Sequence, residues 1–311
     1  MKVREESLLE IHDLSVSFRM YDHALEQRDL QVISDLSLSV RPGEIVAVAG
    51  SSGSGKSLLA SAILGILPSN ATVRGHLHYK DMELTPETQA RLRGREIALV
   101  PQSVAFLDPL MKVGKQADGH KKPYPTEKRR SLFKRFGLPE HTEQLYPFQL
   151  SGGMARRVLV STALIPDAEL IIADEPTPGM SLEQALEALK LFREMADAGK
   201  GVILITHDID LAVEFADRVA VFYAGTTVET ALAADFKQGP DALRHPYSKA
   251  LWQALPQNGF TPISGFQPYA GSLPSGCLFH PRCPHCTALC REAVPPIREL
   301  RQGEVRCFHA T

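Results

Sequence analysis

The stretch Gly50-Ser51-Ser52-Gly53-Ser54-Gly55-Lys56-Ser57 follows the pattern GxxxxGK[ST], a spacing suited to holding a chain of phosphates. Phosphates need backbone N–H groups aimed inward, and glycine permits that turn with no Cβ in the way. Lys56 supplies a point charge, a helix starting beside it adds its positive end, and the Ser57 hydroxyl suits Mg²⁺. With glycine near 7% of residues, such a pattern arises by accident in roughly one per cent of chains this long. Farther on, the apolar run 170–173 ends in Asp174 and Glu175. At the C-terminal edge of a parallel sheet these carboxylates face the ligand crevice. There Asp174 holds Mg²⁺ through water and Glu175 orients and polarises an attacking water. Alone, an acidic strand end reads equally well as a solvated turn. After a phosphate loop it reads as chemistry.

A second anion-binding element lies in Leu150-Ser151-Gly152-Gly153-Met154, where Ser151 is a natural N-cap and two glycines expose N–H groups at a helix start. Gln102 and His207 each follow a short apolar run, at 97–100 and 202–206. Single glutamines and histidines are more often structural or solvated than functional, but both of these fall at the same expected sheet edge as the carboxylates. All five cysteines (Cys277, Cys283, Cys286, Cys290, Cys307) lie in the last 35 residues. In a reducing compartment such a cluster suggests a metal or redox site before a set of disulfides.

The elements that must position these groups follow from periodicity. Short apolar runs alternate with amphipathic stretches over the first 240 residues, the pattern of an α/β fold with a largely parallel sheet. Residues 8–18 and 32–40 alternate polar and apolar, as an antiparallel edge does. Buried strands are expected at 44–49, 170–173 and 202–206, and helices at 57–67, 154–164 and 182–196. Residues 103–165 carry charged helical pieces such as 127–136 joined by Gly and Pro, which predicts a mostly helical insertion. Ten of the 22 prolines fall at or after Pro240. With the cysteines, they place a boundary near Gly239-Pro240, giving 1–240 and a C-terminal extension over 241–311.

Composition narrows the function. A net charge of −2 on 311 residues gives no reason to expect a nucleic-acid stripe or a polybasic membrane patch. No apolar run approaches the roughly 18 residues of a membrane span. The N-terminal MKVREESLLE carries acid and lacks the apolar core of a secretory signal, so a cytosolic chain is expected. No NKxD guanine-reading motif is present, which disfavours a GTPase.

Taken in order, the phosphate loop, the LSGGM turn and the Asp-Glu strand end resemble the ATP-binding cassette (ABC) family. The resemblance implies a P-loop NTPase cassette: a RecA-like core with an antiparallel β edge and a helical subdomain over about 103–165. ATP is then sandwiched between two cassettes, with Ser151, Gly152 and Gly153 of one over the γ-phosphate held by residues 50–57 of the other. Gln102 resembles the glutamine that touches Mg²⁺ and senses the permease, and His207 the switch histidine that bonds the γ-phosphate and helps position water beside Glu175 and Lys56. Three positions depart from the pattern. Ser181 stands where the family's loop after the glutamate has an Asp that couples the two sites, which suggests a heterodimer with unequal sites. Arg157 is the matched basic residue of the signature helix, in Ala155-Arg156-Arg157. Tyr21, or failing that Phe18, is the candidate for stacking on adenine, with the charged stretch 22–29 spoiling the spacing.

Beyond residue 240, His245-Pro246-Tyr247 and the cysteine-rich run from Gly276 to Pro284 resemble the tail of the oligopeptide, dipeptide and nickel importer subfamily. Cys277, Cys283, Cys290 and Cys307 match its spacing, which in some members implies a 4Fe–4S cluster. Zinc, with His280, His285 or His309 taking part, and metal-free thiols are the rival readings. The resemblance implies an ATPase energising import of peptides or of nickel and metal chelates. It would sit on the cytoplasmic face of the membrane with a second cassette, two permease subunits and, indirectly, an extracellular binding protein. The run Leu64-Gly65-Ile66-Leu67-Pro68 tilts slightly towards nickel. Val104, Phe106 and Leu107 are candidates for a permease contact or for core of the insertion. The rival classes are a soluble ABC ATPase without a transport role, an exporter subunit, and a degenerate cassette with a metal-sensing tail.

Overall fold

The computed structural model describes residues 7–21, 27–119 and 126–311. Residues 1–6, which open the stretch weighed against a secretory signal, and 22–26 of the charged stretch lie outside the described residues.

Two sheets share the work of positioning. The smaller is antiparallel, in the order β2 (Gln27–Val40), β1 (Leu9–Tyr21), β4 (Ala71–Tyr79), β5 (Met82–Glu83). The larger has five parallel strands: β9 (Arg218–Tyr223), β3 (Ile45–Gly50), β8 (Gly201–Ile205), β7 (Leu170–Asp174) and β6 (Ile97–Val100). Antiparallel β10 (Thr226–Leu232) pairs with β9, followed outward by β12 (Gly303–Val305) and β11 (Arg298–Leu300). Parallel strands are covered on both faces, which is why 45–50, 170–174 and 201–205 read as unbroken apolar runs. Successive side chains go to opposite cores: Ile45, Ala47 and Ala49 pack with the helices on one face, and Val46 and Val48 against the antiparallel sheet on the other.

The helices follow local chemistry. α1 (Lys56–Leu64) stops at Gly65, which adopts φ 64°, so it is shorter than the run to residue 67 expected from apolar spacing. α2 (Pro86–Leu92) has Thr85 as N-cap and proline at its first position. Between β6 and β7 the described residues contain no strand, only α3 (Val113–Asp118), α4 (Thr126–Arg135), α5 (Gly152–Leu164) and short 3₁₀ turns. Buried Arg129 ties that segment together by pairing with Asp118 and, at 2.8 Å, with Glu143. α6 (Leu182–Asp197) and α7 (Ile209–Phe215) complete the layer on the sheet, and α8 (Ala233–Gln238) follows β10.

The composition break near residue 240 is not a break in packing. Leu243, Tyr247 and Phe279 belong to the same core as Ile45 and Ala47, and β12 extends the main sheet. Glu229 of β10, wholly buried, accepts from the backbone N–H groups of Arg244 and His245 at 2.8 Å each and pairs with the Arg244 guanidinium at 3.2 Å. α9 (Pro246–Gln253) therefore starts against the sheet, and α10 (Ala288–Glu292) follows in the cysteine-rich stretch.

Candidate functional site

Parallel strands send their C-terminal ends to one edge, and four of them deliver candidate side chains there. The loop after β3 carries the phosphate motif. Gly50 has no room for a Cβ, which would meet the Phe222 carbonyl oxygen at 2.3 Å, and Gly55 caps α1 at φ 95°. Lys56 folds back over its own loop and donates from Nζ to the carbonyls of Gly50 (2.8 Å) and Ser51 (3.0 Å). Burial pushes its ammonium below the ordinary lysine value, while Glu175 and Asp174 pull it back up. Phosphate oxygens are better partners than those two carbonyls, so the lysine is held ready at the mouth of the loop.

Ser57, the second residue of α1, donates from Oγ to Asp174 Oδ1 at 3.2 Å. Burial raises the Asp174 carboxyl, opposed first by that hydrogen bond, and later by Lys56 and Arg156. Two hard oxygen donors at this spacing beside a phosphate loop fit Mg²⁺, which prefers few protein ligands and keeps substrate and water in its shell. Glu175 follows at φ 48°, a left-handed backbone that turns its carboxylate out of the strand direction. Its Oε2 lies 2.8 Å from His207 Nδ1, past the end of β8. The carboxylate is nearly buried at 10% side-chain exposure and the imidazole is 71% exposed, so the pair has one fixed and one movable member.

Gln102 follows β6 at the same edge. Its backbone carbonyl accepts from Arg156 Nη1 at 2.6 Å, and among the described residues its side-chain amide has no hydrogen-bond partner. The LSGGM turn stands apart from this edge, at the start of α5: Ser151 Oγ accepts from Met154 N at 3.3 Å, and a Cβ at Gly152 would meet open space. Ser151 and Gly152 are exposed. Ser181 N-caps α6 in a reciprocal pair with Gln184 (3.3 and 3.4 Å), a role that serine fills without charge. Phe18 is paired in the antiparallel sheet, and Tyr21 is exposed at the end of β1.

The sequence pattern singles out Arg157, not its neighbour Arg156. Arg157 bonds the carbonyls of Gly153 and Phe136 within the helical segment. Arg156, 4% exposed, donates to the carbonyls of Pro101 (3.0 Å), Gln102 and Glu175, joining α5 to two strand ends. Only the pairing of two adjacent arginines, with nothing in their spacing to rank them, marked the position.

All five cysteines are free thiols. Burial raises Cys277 to about 11, opposed by the Phe279 N–H, with Cys307, Cys290 and Cys283 close enough to raise it further. Cys283 and Cys307 are raised for the same first reason, and N–H groups of His285, His309 and Ala310 point at their sulfurs. Among the described residues, however, no three His, Cys, Asp or Glu side chains are grouped to hold a metal ion. That arrangement supports neither zinc, with His280, His285 or His309 taking part, nor an iron–sulfur cluster on the four cysteines.

A phosphate loop, a serine–aspartate pair and a glutamate–histidine pair on one edge of this sheet, with a separate capped glycine turn on a helical segment, define a nucleotide-binding cassette. Comparison with known proteins agrees. Residues 33–178 match the ABC transporter family, and 228–290 the oligopeptide/dipeptide transporter C-terminal region. The chain is 34% identical to the oligopeptide transport ATP-binding protein OppD of Salmonella typhimurium, over 97% of this chain and 93% of that protein. It is also 34% identical to the dipeptide transport ATP-binding protein DppD of Bacillus subtilis, over 93% and 90%. Among solved structures, the dimeric cassette MJ0796 with ADP and Pi superposes with TM-score 0.63 at 23% identity, covering 72% of this chain and 98% of that one. An ATP-binding subunit of an ABC transporter gives 0.61 at 24%, covering 74% and 92%. The chain belongs to the ABC transporter family of ATP-binding proteins, and it is an ATPase.

Proposed function

We propose that this chain powers an importer of oligopeptides or dipeptides, as one of two cassettes on a pair of permease subunits fed by an extracellular binding protein. Relatives named for peptide transport align over nearly the whole chain, tail included. No observation favours nickel, because the 64–68 run has a structural cause: Gly65 closes α1 and leaves no space beside Gln89. No helix among the described residues is long and apolar enough to cross a membrane. The proposed location is peripheral, on the cytoplasmic face. The geometry after Gln102 supports a permease contact there: Phe106 is 65% and Leu110 86% exposed, whereas Leu107 turns into the core. Among the apolar residues considered, Val104 and Phe106 are therefore the contact candidates and Leu107 is not.

The proposed chemistry uses the sheet edge. Residues 50–57 bind the phosphates, with Lys56 leaving the Gly50 and Ser51 carbonyls for phosphate oxygens. Ser57 and Asp174 hold Mg²⁺, which when bound with ATP neutralises charge on the phosphate oxygens. Glu175 accepts a proton from water or orients it, and His207 fixes the carboxylate through the 2.8 Å contact until the γ-phosphate competes for the imidazole. The N–H groups of Ser151, Gly152 and Gly153 close on the partner cassette's nucleotide. Ser181 in place of an acid favours a partner that is a different chain.

The observation that carries this reading is the convergence of Lys56, Ser57, Asp174, Glu175 and His207 at one edge. Glu175→Gln in the assembled transporter tests it: ATP binding should persist while hydrolysis and peptide uptake fall about 10²- to 10⁴-fold. Wild-type hydrolysis by that variant would overturn the assignment. For the tail, a 4Fe–4S cluster on Cys277, Cys283, Cys290 and Cys307 has only the spacing of the four cysteines behind it. Iron content and visible charge-transfer absorption after anaerobic purification decide it; iron-free, colourless protein refutes it.

A further inference from the structure

The extension returns to the sheet edge that carries the phosphate loop. It leaves the core through α9, whose start is fixed by His245: Nδ1 of this buried imidazole accepts from the Tyr247 N–H at 3.0 Å. Beyond α9 the chain runs back as an irregular strap, residues 263–272, and three contacts hold it. Arg282 donates from Nε to the Ser264 carbonyl at 2.9 Å and from Nη2 to the Ile263 carbonyl at 3.2 Å. Gln267 Oε1 accepts from Ser51 Oγ, in the phosphate loop. Ala270–Ser272 form a 3₁₀ turn against β2, where a Cβ on Gly271 would lie 3.4 Å from Leu30 Cδ1.

Tyr269 stands between the last two anchors. Two residues of chain span at most about 7 Å, so it stays close to the Gln267 contact with the loop. Its ring lies against the 3₁₀ turn, where a Cβ on Gly271 would come within 2.5 Å of Tyr269 Cε1. The ring is otherwise open, with the residue 62% exposed. β2 supplies the scale. Ile33 touches the phosphate loop at Gly55, where a Cβ would meet Ile33 Cγ1 at 3.1 Å. Leu30 is three residues along that strand, about 10 Å away. The strap therefore bridges the phosphate loop and the β1–β2 ribbon, with an aromatic ring in the middle of the bridge. A nucleotide whose phosphates sit on residues 50–57 must place its base about a nucleoside's length from them, and bases stack on aromatic rings. Of the other rings at this corner, Phe18 pairs across to Leu30 and packs into the core of the antiparallel sheet, which leaves it no free face.

We propose that Tyr269 is a base-binding residue: its exposed ring stacks on the adenine of the nucleotide held by residues 50–57, so that the C-terminal extension completes the nucleotide site. This rests on residues 50–57 being the phosphate site.

The test compares Mg-ADP with Mg-tripolyphosphate, which has the phosphates and no base, by calorimetry on the full chain. The variants are Tyr269→Phe, Tyr269→Leu, Tyr21→Leu and Phe266→Leu, with Lys56→Ala for the loop. Phe266 is 95% exposed and lies on the other side of Gln267, towards the Arg282 anchor. Tyr269→Leu keeps apolar bulk and removes the π-face. It should bind Mg-ADP about five- to hundredfold more weakly, the worth of one base stacked on one ring. Tripolyphosphate binding and the thermal midpoint should match wild type, because the phosphate site and the packing are untouched. Tyr269→Phe keeps the face and should bind both ligands as wild type does. In steady-state hydrolysis the loss should appear in KM for ATP and leave kcat alone. Wild-type Mg-ADP affinity in Tyr269→Leu overturns the proposal, and so does an equal loss of both ligands, which would place the effect on the loop. A loss confined to Tyr21→Leu or Phe266→Leu overturns it in favour of that ring. Lys56→Ala should weaken both ligands; if it binds both normally, the loop assignment itself is wrong.

Discussion

Replacing Arg156 with methionine should disable the cassette out of proportion to any contact with nucleotide. The guanidinium is 4% exposed and donates to three carbonyls, those of Pro101, Gln102 and Glu175. Methionine fills similar volume but leaves these acceptors without their donor in a dry environment, and removal of a buried charged partner costs about 3–5 kcal/mol. Against a total stability of about 5–15 kcal/mol, the protein remains folded with a lowered urea midpoint. Lysine in the same place keeps the charge but not the planar fork that spans two strand ends, so Arg156→Lys should recover part of the stability and little of the turnover. Charge has a second consequence. Arg156 is one of the groups that hold the Asp174 carboxyl down against the upward push of burial. Without it that carboxyl rises further, so the acid limb of the ATPase profile moves to higher pH in Arg156→Met and stays in place in Arg156→Lys. The assays are urea unfolding and kcat against pH for purified full-length chain. Arg156→Met with a midpoint, kcat and acid limb matching wild type would show that α5 and the two strand ends are joined by other means.

Gly50→Ala forces a Cβ to within 2.3 Å of the Phe222 carbonyl oxygen, so the loop must shift and Mg-ADP binding by calorimetry should be lost. His245, whose pKa burial lowers from 6.5 to about 3, binds its proton in the unfolded chain before it does in the folded one. Its contribution is fully present above about pH 6.5 and is lost as pH falls towards 3, at up to about 1.4 kcal/mol per pH unit; His245→Asn keeps a capping oxygen and should flatten the stability profile over that range. Ser181→Asp preserves the N-cap of α6, so its urea midpoint should match wild type within about 0.5 kcal/mol. Transport-coupled turnover should nevertheless change, since a charge enters the loop that follows Glu175; unchanged turnover argues against unequal sites.

Local chemistry made much of this protein legible in advance. The strands at 45–50, 170–174 and 201–205 are apolar because both faces are covered, and the same compositional rule announces them in the sequence. Ser151 and Ser181 cap helices through their own hydroxyls, a matter of three or four residues. The pattern at 50–57 is likewise local: its glycines and lysine fall within eight positions, so spacing alone is enough to propose it as a phosphate loop. Tertiary structure decided whatever depends on which distant groups share a buried volume. Two adjacent arginines look alike in sequence, yet only Arg156 points inward to three carbonyls, because the helix turns one residue towards the sheet and its neighbour away. The proline- and cysteine-rich stretch after 240 looks like a separate unit by composition, but Glu229 binds it to β10 and the Tyr247 ring packs on Tyr223 of β9. Burial and partner choice are set by packing across the whole chain, and no window of the sequence contains them.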